Sequence, residues 1–364
     1  MLWIVPATLA LGAVFFYGGT RFGQLMLRRG ATANDLLKGQ EWQTWIIILI
    51  YGLLLFLAVN LPQMQFFPLD WRVVGMRITW LMIRVLLIGA CGFAIAISWK
   101  TARVQLGAIV TVSLIGLISF TAVESYYLSP IYSELKNNLR PNQVFKQTSA
   151  SSCAPSALAT LLQRWGITQA TESTVAKLAG TSRMGTSNPQ VIKAAQGFGL
   201  TGLELTDATW EQLWKINRPG ILSVWLGSGW RRLPHAVALM AMDQDHVVVA
   251  DPAQGKYYSW TQEELRSRWR NEYVPIFRPK DVVLTEVQIS NYLKKQGFSP
   301  DPEGIRAFQT TMKIKATGLA DPLTVLLLTG RFLKNDAPTL AIDQFERDTM
   351  QRMGCSADPA TCPW

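Results

Sequence analysis

Histidine is scarce in this chain: two of its 364 residues are histidines, His235 and His246. The sequence has no GxxxxGK[ST] phosphate-binding loop, which argues against ATP hydrolysis. It also has no CxxC or HExxH pattern, which argues against the common zinc sites. No basic stretch is interleaved with aromatic residues, so the net charge of +10 predicts no nucleic-acid partner. Chemistry that requires an imidazole therefore has two candidate positions.

Charged side chains are missing from long apolar stretches near the N-terminus: residues 1–20, 44–69 and 104–123. Each is long enough to span a bilayer, since a transmembrane helix needs about 20 apolar residues. A fourth stretch, about 78–99, contains Arg84, which we expect to reach the membrane interface beside Trp80. We therefore predict a region of four transmembrane helices over residues 1–124, in contact with lipid. The alternative for the first stretch is a signal peptide, but it has no basic segment at its start.

Basic residues between the apolar stretches predict the orientation, because cytoplasmic loops are enriched in Lys and Arg. The first and third connections hold six: Arg21, Arg28, Arg29, Lys38, Lys100 and Arg103. The second connection holds only Arg72 and Arg77. With four spans, both termini and everything after about residue 125 are expected to be extracytoplasmic.

The sequence after the apolar stretches has the pattern of a soluble protein. Residues 125–140 are predicted to form a linker or short helix that leaves the membrane. From 141 to about 280, helical patterns come first and strand patterns follow, which predicts an α+β domain with an antiparallel sheet. Helices are expected from Cys153 to Gly166 and at 172–180 and 189–197, and strands at 220–226, 235–242 and 246–250.

Three residues in this domain suggest one reaction centre. The midpoint between His235 and Asp251 falls in the polar stretch 243–245. A hairpin turning there would place the two residues directly opposite each other, with Cβ atoms about 4.5–5.5 Å apart. His246 would point to the other face of a regular hairpin. Cys153 opens a predicted helix, so the helix dipole would favour its thiolate.

A thiol, an imidazole and an orienting carboxylate are the parts of a cysteine-nucleophile triad. Cys153 would attack, His235 would carry the proton, and Asp251 would hold the imidazole ring. Gln147, six residues before the cysteine, could donate its side-chain NH₂ to an oxyanion. The main chemical alternative is a metal site, for which ligand types are present but ligand spacing is not. Its candidate ligands are Cys153, His235, His246, Asp243, Asp245 and Asp251. We predict neither a metal nor a cofactor.

The stretches QTSASSCAPSALATLLQRWGI, GTS at 185–187 and HAVAL…VVVADPAQG resemble the bacteriocin-leader-processing cysteine peptidases. These are papain-like domains that cut after double-glycine leaders, and the likeness covers about 141–275. It implies the same roles for Cys153, His235 and Asp251, with Gln147 as the oxyanion donor. Two features differ from the family: Ala154 stands where a glycine is common, and the transporter ATPase fused to many members is missing. Those domains also face the cytoplasm, so the leader specificity does not transfer directly.

The segment VQISNYLKKQGF…EGIRAFQTTMKIKATGLADPLTVLLL resembles a small helical peptidoglycan-binding domain. The matching positions are Phe308, Gln309, Gly318, Leu319, Thr324 and Leu327. The resemblance implies peptidoglycan as a further partner, and the alternative is a small helical bundle with a packing role. Further along, Cys355 and Cys362 could form a small disulfide loop in an oxidising compartment, or remain free thiols on a disordered tail.

Together these patterns predict a membrane-anchored cysteine peptidase of the bacterial cytoplasmic membrane, acting on a peptide or protein outside the cell membrane. Two alternatives remain: a non-catalytic peptide-binding or scaffold protein, and a thiol amidase or transamidase acting on peptidoglycan stem peptides. The sequence identifies no partner transporter. The predicted organisation is a transmembrane region at 1–124, a linker at 125–140, a papain-like α+β domain at 141–280, a small all-α domain at 281–335 and a tail at 336–364.

Overall fold

A computed structural model describes residues 4–33, 35, 41–60, 64–227, 232–333 and 337–353. The chain divides into an N-terminal unit, Met1–Ser129, and a C-terminal unit, Pro130–Trp364. Cys355 and Cys362 lie outside the described residues, and so does any disulfide between them.

The N-terminal unit is helical throughout its described secondary structure. Its helices are α1 (Ile4–Arg28), α2 (Glu41–Asn60), the short α3 (Leu69–Val73), α4 (Gly75–Thr101) and α5 (Arg103–Tyr127). Four long helices thus fall on the four predicted stretches, although α2 ends at Asn60 and covers only 44–60 of the stretch 44–69. Within the described residues, α4 and α5 have both the length and the apolar composition to cross a membrane. In α2 the apolar part is the shorter segment Ile48–Asn60.

Glycines bring α1 and α4 into close contact. A Cβ atom at Gly19 would collide with the backbone carbonyl of Gly89, and one at Gly92 would collide with the carbonyl of Phe16. Gly23 completes a Gly-x-x-x-Gly spacing with Gly19, and a Cβ there would lie 2.9 Å from a side-chain atom of α4. Small residues at such spacing are typical of packed membrane helices, whose backbones must approach closely.

Arg84 has a charged partner that the sequence pattern did not indicate. Its guanidinium forms an ion pair with the carboxylate of Glu124, which joins α4 to α5. Glu124 is the first residue after the uncharged stretch 104–123, so the sequence pattern gave no reason to connect it with Arg84. Pairing lowers the cost of a charge in apolar surroundings, while Trp80 packs against Phe120 with ring centroids 5.1 Å apart.

The C-terminal unit is built on an antiparallel sheet with the strand order β3-β8-β4-β5-β6-β7. Its strands are β3 (Thr201–Gly202), β4 (Gly220–Leu226), β5 (Leu233–Met242), β6 (His246–Asp251), β7 (Lys256–Thr261) and β8 (Trp269–Phe277), and a separate small ribbon contains β1 (Asn138–Leu139) and β2 (Phe145–Lys146). Its helices are α6 (Cys153–Arg164), α7 (Glu172–Ala179), α8 (Asn188–Gln196), α9 (Trp210–Ile216), α10 (Gln262–Arg268), α11 (Glu286–Lys295), α12 (Pro302–Thr311), α13 (Pro322–Thr329) and α14 (Ile342–Met353). The predicted α+β order of helices followed by a sheet is therefore present.

The β5–β6 hairpin contains an irregularity that the sequence did not reveal. Near the turn Ala241 pairs with Val248, whereas beyond Met240 the partners are Ala238 and Ala250. The pairing therefore shifts by one residue at Met240, as expected for a β-bulge. Continued by one residue, this register places Asp251 opposite Val237 rather than opposite His235, which corrects the predicted direct pairing.

The helices after the sheet share a hydrophobic core with it. One hydrophobic cluster contains Val237 and Leu239 of β5 together with Leu293, Phe308 and Leu326 of α11, α12 and α13. The described part of the region 281–335 thus contains the three helices α11, α12 and α13, which share a core with the sheet. Residues 342–353, within the predicted tail, form α14.

Gln309 explains part of the resemblance to peptidoglycan-binding domains. Its buried side-chain amide donates to the hydroxyl of Thr324 at 2.9 Å and the carbonyl of Leu319 at 2.9 Å, and its oxygen accepts from the amide of Gly318 at 2.8 Å. Phe308 and Leu327 are buried. These matching positions therefore support the local helical fold.

Candidate active site

Cys153 is the first residue of α6, a helix whose other residues, Ala154–Arg164, are all buried. α6 packs against β5, and its start lies beside the beginning of that strand. The Ser152 hydroxyl makes no cap to the helix and donates instead to the carbonyl of Ser149 at 2.9 Å. The first amides of α6 are consequently not capped by this side chain, and the positive end of the helix dipole lies at the thiol.

His235 lies between the thiol and a carboxylate. Its Nε2 is 2.7 Å from Oδ1 of Asp251, and both side chains are largely buried. The same Oδ1 accepts the amide of Ala253 at 2.8 Å, which fixes the carboxylate from a second side. The Cys153 thiol lies near the same imidazole, since His235 lowers the pKa of the thiol and Cys153 in turn raises the pKa of His235.

Diagonal residues of an antiparallel pair lie about 7–8 Å apart, within reach of a His–Asp contact. His235 and Asp251 are related in this way, because Asp251 falls opposite Val237 in the continued register. Without the shift at Met240, Asp251 would fall opposite Ala238, and His235 would lie on the other side of the sheet. The bulge therefore brings the imidazole and the carboxylate to one side.

The electrostatics of Cys153 and His235 favour the charged forms, a thiolate and an imidazolium. Burial lowers the pKa of His235, but the hydrogen bonds and charges of Asp251 and Cys153 outweigh it and raise that pKa to about 9. Burial raises the pKa of the Cys153 thiol, whereas the hydrogen bond and charge of His235 lower it, with a net shift below its usual value. Backbone hydrogen bonds from Ala236 and Ala154 lower it further. At neutral pH the thiolate–imidazolium form is thereby stabilised.

Gln147 lies in the loop that leads to Cys153. Its backbone amide donates to the carbonyl of Pro252 at 2.8 Å, so the loop is attached to the residue that follows Asp251. Its side-chain Nε2 donates one hydrogen bond to the carbonyl of Ser149 at 2.9 Å and retains a second N–H. The structure thus brings all four residues singled out from the sequence into one region of the C-terminal unit.

His246 is separated from this region. It begins β6, at the opposite end of the hairpin from His235, and its Nδ1 lies 3.8 Å from Oδ1 of Asp243. In the part of the chain that the structure describes, no group of three or more His, Cys, Asp and Glu side chains could hold a metal ion. Of the metal ligands considered above, His246, Asp243 and Asp245 thus lie at the hairpin turn, away from Cys153, His235 and Asp251.

Sequence patterns did not reveal several contacts of the site. The backbone amides of Ala236 and Ala253 carry no side-chain signal, although they touch Cys153 and Asp251. Glu172, which accepts two hydrogen bonds from Thr148 in the loop next to Gln147, stands in a sequence pattern that gives no sign of this contact. Only the tertiary fold brings it to the loop.

Comparison with known proteins gives a family for this region. The peptidase C39 family matches residues 142–281. A curated relative, an uncharacterized protein of Methanothermobacter thermautotrophicus, is 32% identical over 126 residues, which is 34% of this chain and 80% of that protein.

Among solved structures, the peptidase domain of Streptococcus ComA, a bi-functional ABC transporter of a quorum-sensing pathway, is similar with 19% identity. It covers 38% of this chain and 98% of its own, with a TM-score of 0.34. A double-glycine-motif protease from an AMS/PCAT transporter, solved with its leader peptide, is 23% identical. It covers 37% of this chain and 90% of its own, with a TM-score of 0.29.

The family match defines the class of protein: it is a cysteine peptidase with a papain-like domain. The chain belongs to the peptidase C39 family through residues 142–281, which confirms the resemblance seen in the sequence.

Proposed function

We propose that this protein is a membrane-anchored cysteine peptidase that hydrolyses peptide bonds through Cys153, His235 and Asp251, with Gln147 as oxyanion donor. The observation that carries the proposal is the buried contact of 2.7 Å between the His235 Nε2 and the Asp251 carboxylate, beside a Cys153 thiol whose pKa is lowered by His235. Neither a binding protein nor a scaffold requires that arrangement.

The proposed reaction proceeds by acyl transfer. The Cys153 thiolate attacks the carbonyl carbon of the scissile peptide bond, and the oxyanion is held by Gln147 and by amides at the start of α6. The His235 imidazolium gives its proton to the leaving amine as the C–N bond breaks. Neutral His235 then takes a proton from water, which attacks the thioester and releases the carboxylic acid and the thiolate.

The substrate class that fits this chemistry is a peptide or protein segment. The solved AMS/PCAT protease binds a leader peptide, which supports an extended peptide as the ligand here. Since α4 and α5 have the properties of membrane spans and basic residues predict the orientation, we place the peptidase domain on the extracytoplasmic side, anchored by four helices. Double-glycine specificity is not part of the proposal.

The experiment uses the full chain in detergent and a complex peptide mixture from a digested proteome. Mass spectrometry would identify peptide termini that appear with the native protein and not with Cys153→Ala or His235→Ala. The proposal expects new termini that depend on both residues. If the acyl group is transferred to added hydroxylamine or glycine amide in preference to water, the protein is a transamidase. If cleavage persists in Cys153→Ala, Cys153 is not the nucleophile.

Peptidoglycan binding by residues 281–335 is a separate part of the proposal, supported by the sequence likeness and the extracytoplasmic orientation. Because this segment shares its core with the sheet, the full chain is the right material. Co-sedimentation with purified sacculi at physiological salt is expected. A chain that stays in the supernatant while remaining folded would exclude this role.

A further inference from the structure

The loop before Cys153 is held by a buried carboxylate. Glu172, in the first turn of α7, is fully buried. Its Oε1 accepts the backbone amide of Thr148 at 2.8 Å, and its Oε2 accepts the hydroxyl of the same threonine at 2.8 Å. Both carboxylate oxygens of Glu172 thus accept hydrogen bonds from a single loop residue, Thr148.

Thr148 directly follows Gln147. The Gln147 amide is bound to the carbonyl of Pro252 at 2.8 Å, and Thr148 also accepts the amide of Lys136 at 3.1 Å on its hydroxyl. The backbone on either side of the Gln147 side chain is therefore tied to two different elements, the end of β6 and the start of α7. Such ties restrict where the Gln147 amide can point.

A carboxylate suits this position for two physical reasons. An ionised carboxylate accepts hydrogen bonds on both oxygens, whereas glutamine keeps one acceptor and offers an NH₂ that the Thr148 hydroxyl could meet only by accepting and turning its own proton elsewhere. The first turn of a helix also favours negative charge, because the helix dipole is positive there. The burial of the charge is thus offset by two donors and by the end of α7.

We infer that Glu172 is a positioning residue that holds Gln147 where it can donate to the oxyanion. The inference rests on the proposed function, since it assigns Glu172 a role in the same acyl transfer. Glu172 has no contact with Cys153, His235 or Asp251 among the hydrogen bonds of the described residues. Its loss should therefore affect steps that form an oxyanion and leave the thiolate–imidazolium pair unchanged.

Two probes of the same thiol separate these effects in the full chain. With p-nitrophenyl acetate, the thiolate attacks the acetyl carbon, a C–S bond forms through an oxyanion, and p-nitrophenolate leaves with the electron pair of the broken C–O bond. With iodoacetamide, the thiolate displaces iodide at a saturated carbon, and no oxyanion forms. For each reagent, the rate attributed to Cys153 is the rate of the native chain minus the rate of Cys153→Ala. The other cysteines then do not contribute.

Glu172→Gln is expected to slow acylation at least about tenfold, since a misplacement of about 1 Å can cost about a hundredfold in rate. Its alkylation rate should stay within about twofold of the native chain, the usual range for uncoupled sites. Thr148→Val, which removes the hydroxyl from the same contact, should give a similar pattern if Glu172→Gln does not fold. Ser173→Ala, the next residue of α7, contacts the carbonyl of Tyr132 instead and should leave both rates unchanged.

A double-mutant cycle makes the link to Gln147 explicit. In the Gln147→Ala background, Glu172→Gln should produce no further loss of acylation. Multiplicative losses, or equal losses of acylation and alkylation, would overturn the inference. If Gln147→Ala itself leaves acylation unchanged, the oxyanion role in the proposed function fails. A full effect of Gln147→Ala with no effect of Glu172→Gln would overturn the Glu172 role alone.

Discussion

Asp251 contributes one carboxylate oxygen to two donors, the His235 ring at 2.7 Å and the Ala253 amide at 2.8 Å. Because the carboxylate favours the imidazolium, and the imidazolium favours the thiolate, the ionisations of His235 and Cys153 depend on each other and on the charge of Asp251. A change at Asp251 should therefore be detectable at Cys153, which it does not touch in any described hydrogen bond.

Replacing Asp251 with Asn removes the negative charge and retains an oxygen acceptor. The pKa of His235 should fall from about 9, the imidazolium should be less populated at neutral pH, and the pKa of Cys153 should rise toward its usual value. Peptide-resolved alkylation of Cys153 against pH measures this shift. Asp245→Asn, an exposed carboxylate at the other end of the hairpin, serves as the control, and a shift of equal size there would indicate a general charge effect.

At the scale of single elements, much of the C-terminal unit could be predicted from the sequence. The predicted helices at 172–180 and 189–197 correspond to α7 and α8, and the strands at 220–226 and 246–250 correspond to β4 and β6. Periodicity and caps carry this information locally. The sequence did not reveal β8, which mixes charged residues and Pro275 into a strand beside β4, because its partners determine its structure.

The bulge at Met240 could not be predicted from the sequence, for a different reason. The two apolar runs are compatible with several registers, and the choice depends on which residues bury best against neighbouring elements. The assumption of a regular hairpin brought His235 and Asp251 close together, but with the wrong register. The carbonyl of Met240 accepts a hydrogen bond from the buried Arg164 at the end of α6, a contact that depends on the fold.

Arg164 also connects α14 to this part of the domain. Its guanidinium lies 5.4 Å from the centre of the Phe345 ring and 3.4 Å from the carboxylate of Asp348. Phe345→Ala should lower the free energy of unfolding of the C-terminal unit by about 3 kcal/mol, as for other buried aromatic truncations. Urea unfolding followed by tryptophan fluorescence would measure it. Glu346→Ala, an exposed neighbour on α14, should change stability by less than about 0.5 kcal/mol.

The contact between α1 and α4 offers a second test at this scale. Gly19→Leu should separate the two helices, because the added side chain would meet the backbone of Gly89. Gly18→Leu is the matched control, since nothing lies within 4 Å of a Cβ at that position. Thermal aggregation of the full chain in detergent is expected to begin at a lower temperature for the first variant only. Equal behaviour of the two variants would contradict the packing.

At the scale of the whole molecule, the family match covers residues 142–281, and the chain adds helices on both sides of it. The helices that follow share a hydrophobic core with the sheet, so the peptidase fold of this protein is larger than the matched region. The apolar helices that precede it determine on which side of a membrane the site would lie.

Reporter fusions test that orientation. Alkaline phosphatase fused after the C-terminal residue should be active, because the proposed four spans and the distribution of basic residues predict that this end lies outside. The same reporter fused after Lys100, in the third connection, which is predicted to be cytoplasmic, should be inactive, and a fluorescent protein should give the opposite pattern at both positions. An inactive phosphatase at the C-terminus with correct membrane insertion would reverse the assignment.

The most direct test of the central claim is the rate of iodoacetamide alkylation of Cys153 as a function of pH, measured by mass spectrometry in the full chain. Because His235 carries a proton up to about pH 9, the native thiol should react well below the ordinary thiol pKa of about 8.5. In His235→Ala the midpoint should rise to that ordinary value or above it, since burial then acts without the opposing charge. Identical profiles for the native chain and His235→Ala would show that Cys153 and His235 do not act as a pair, and the proposed mechanism would fail.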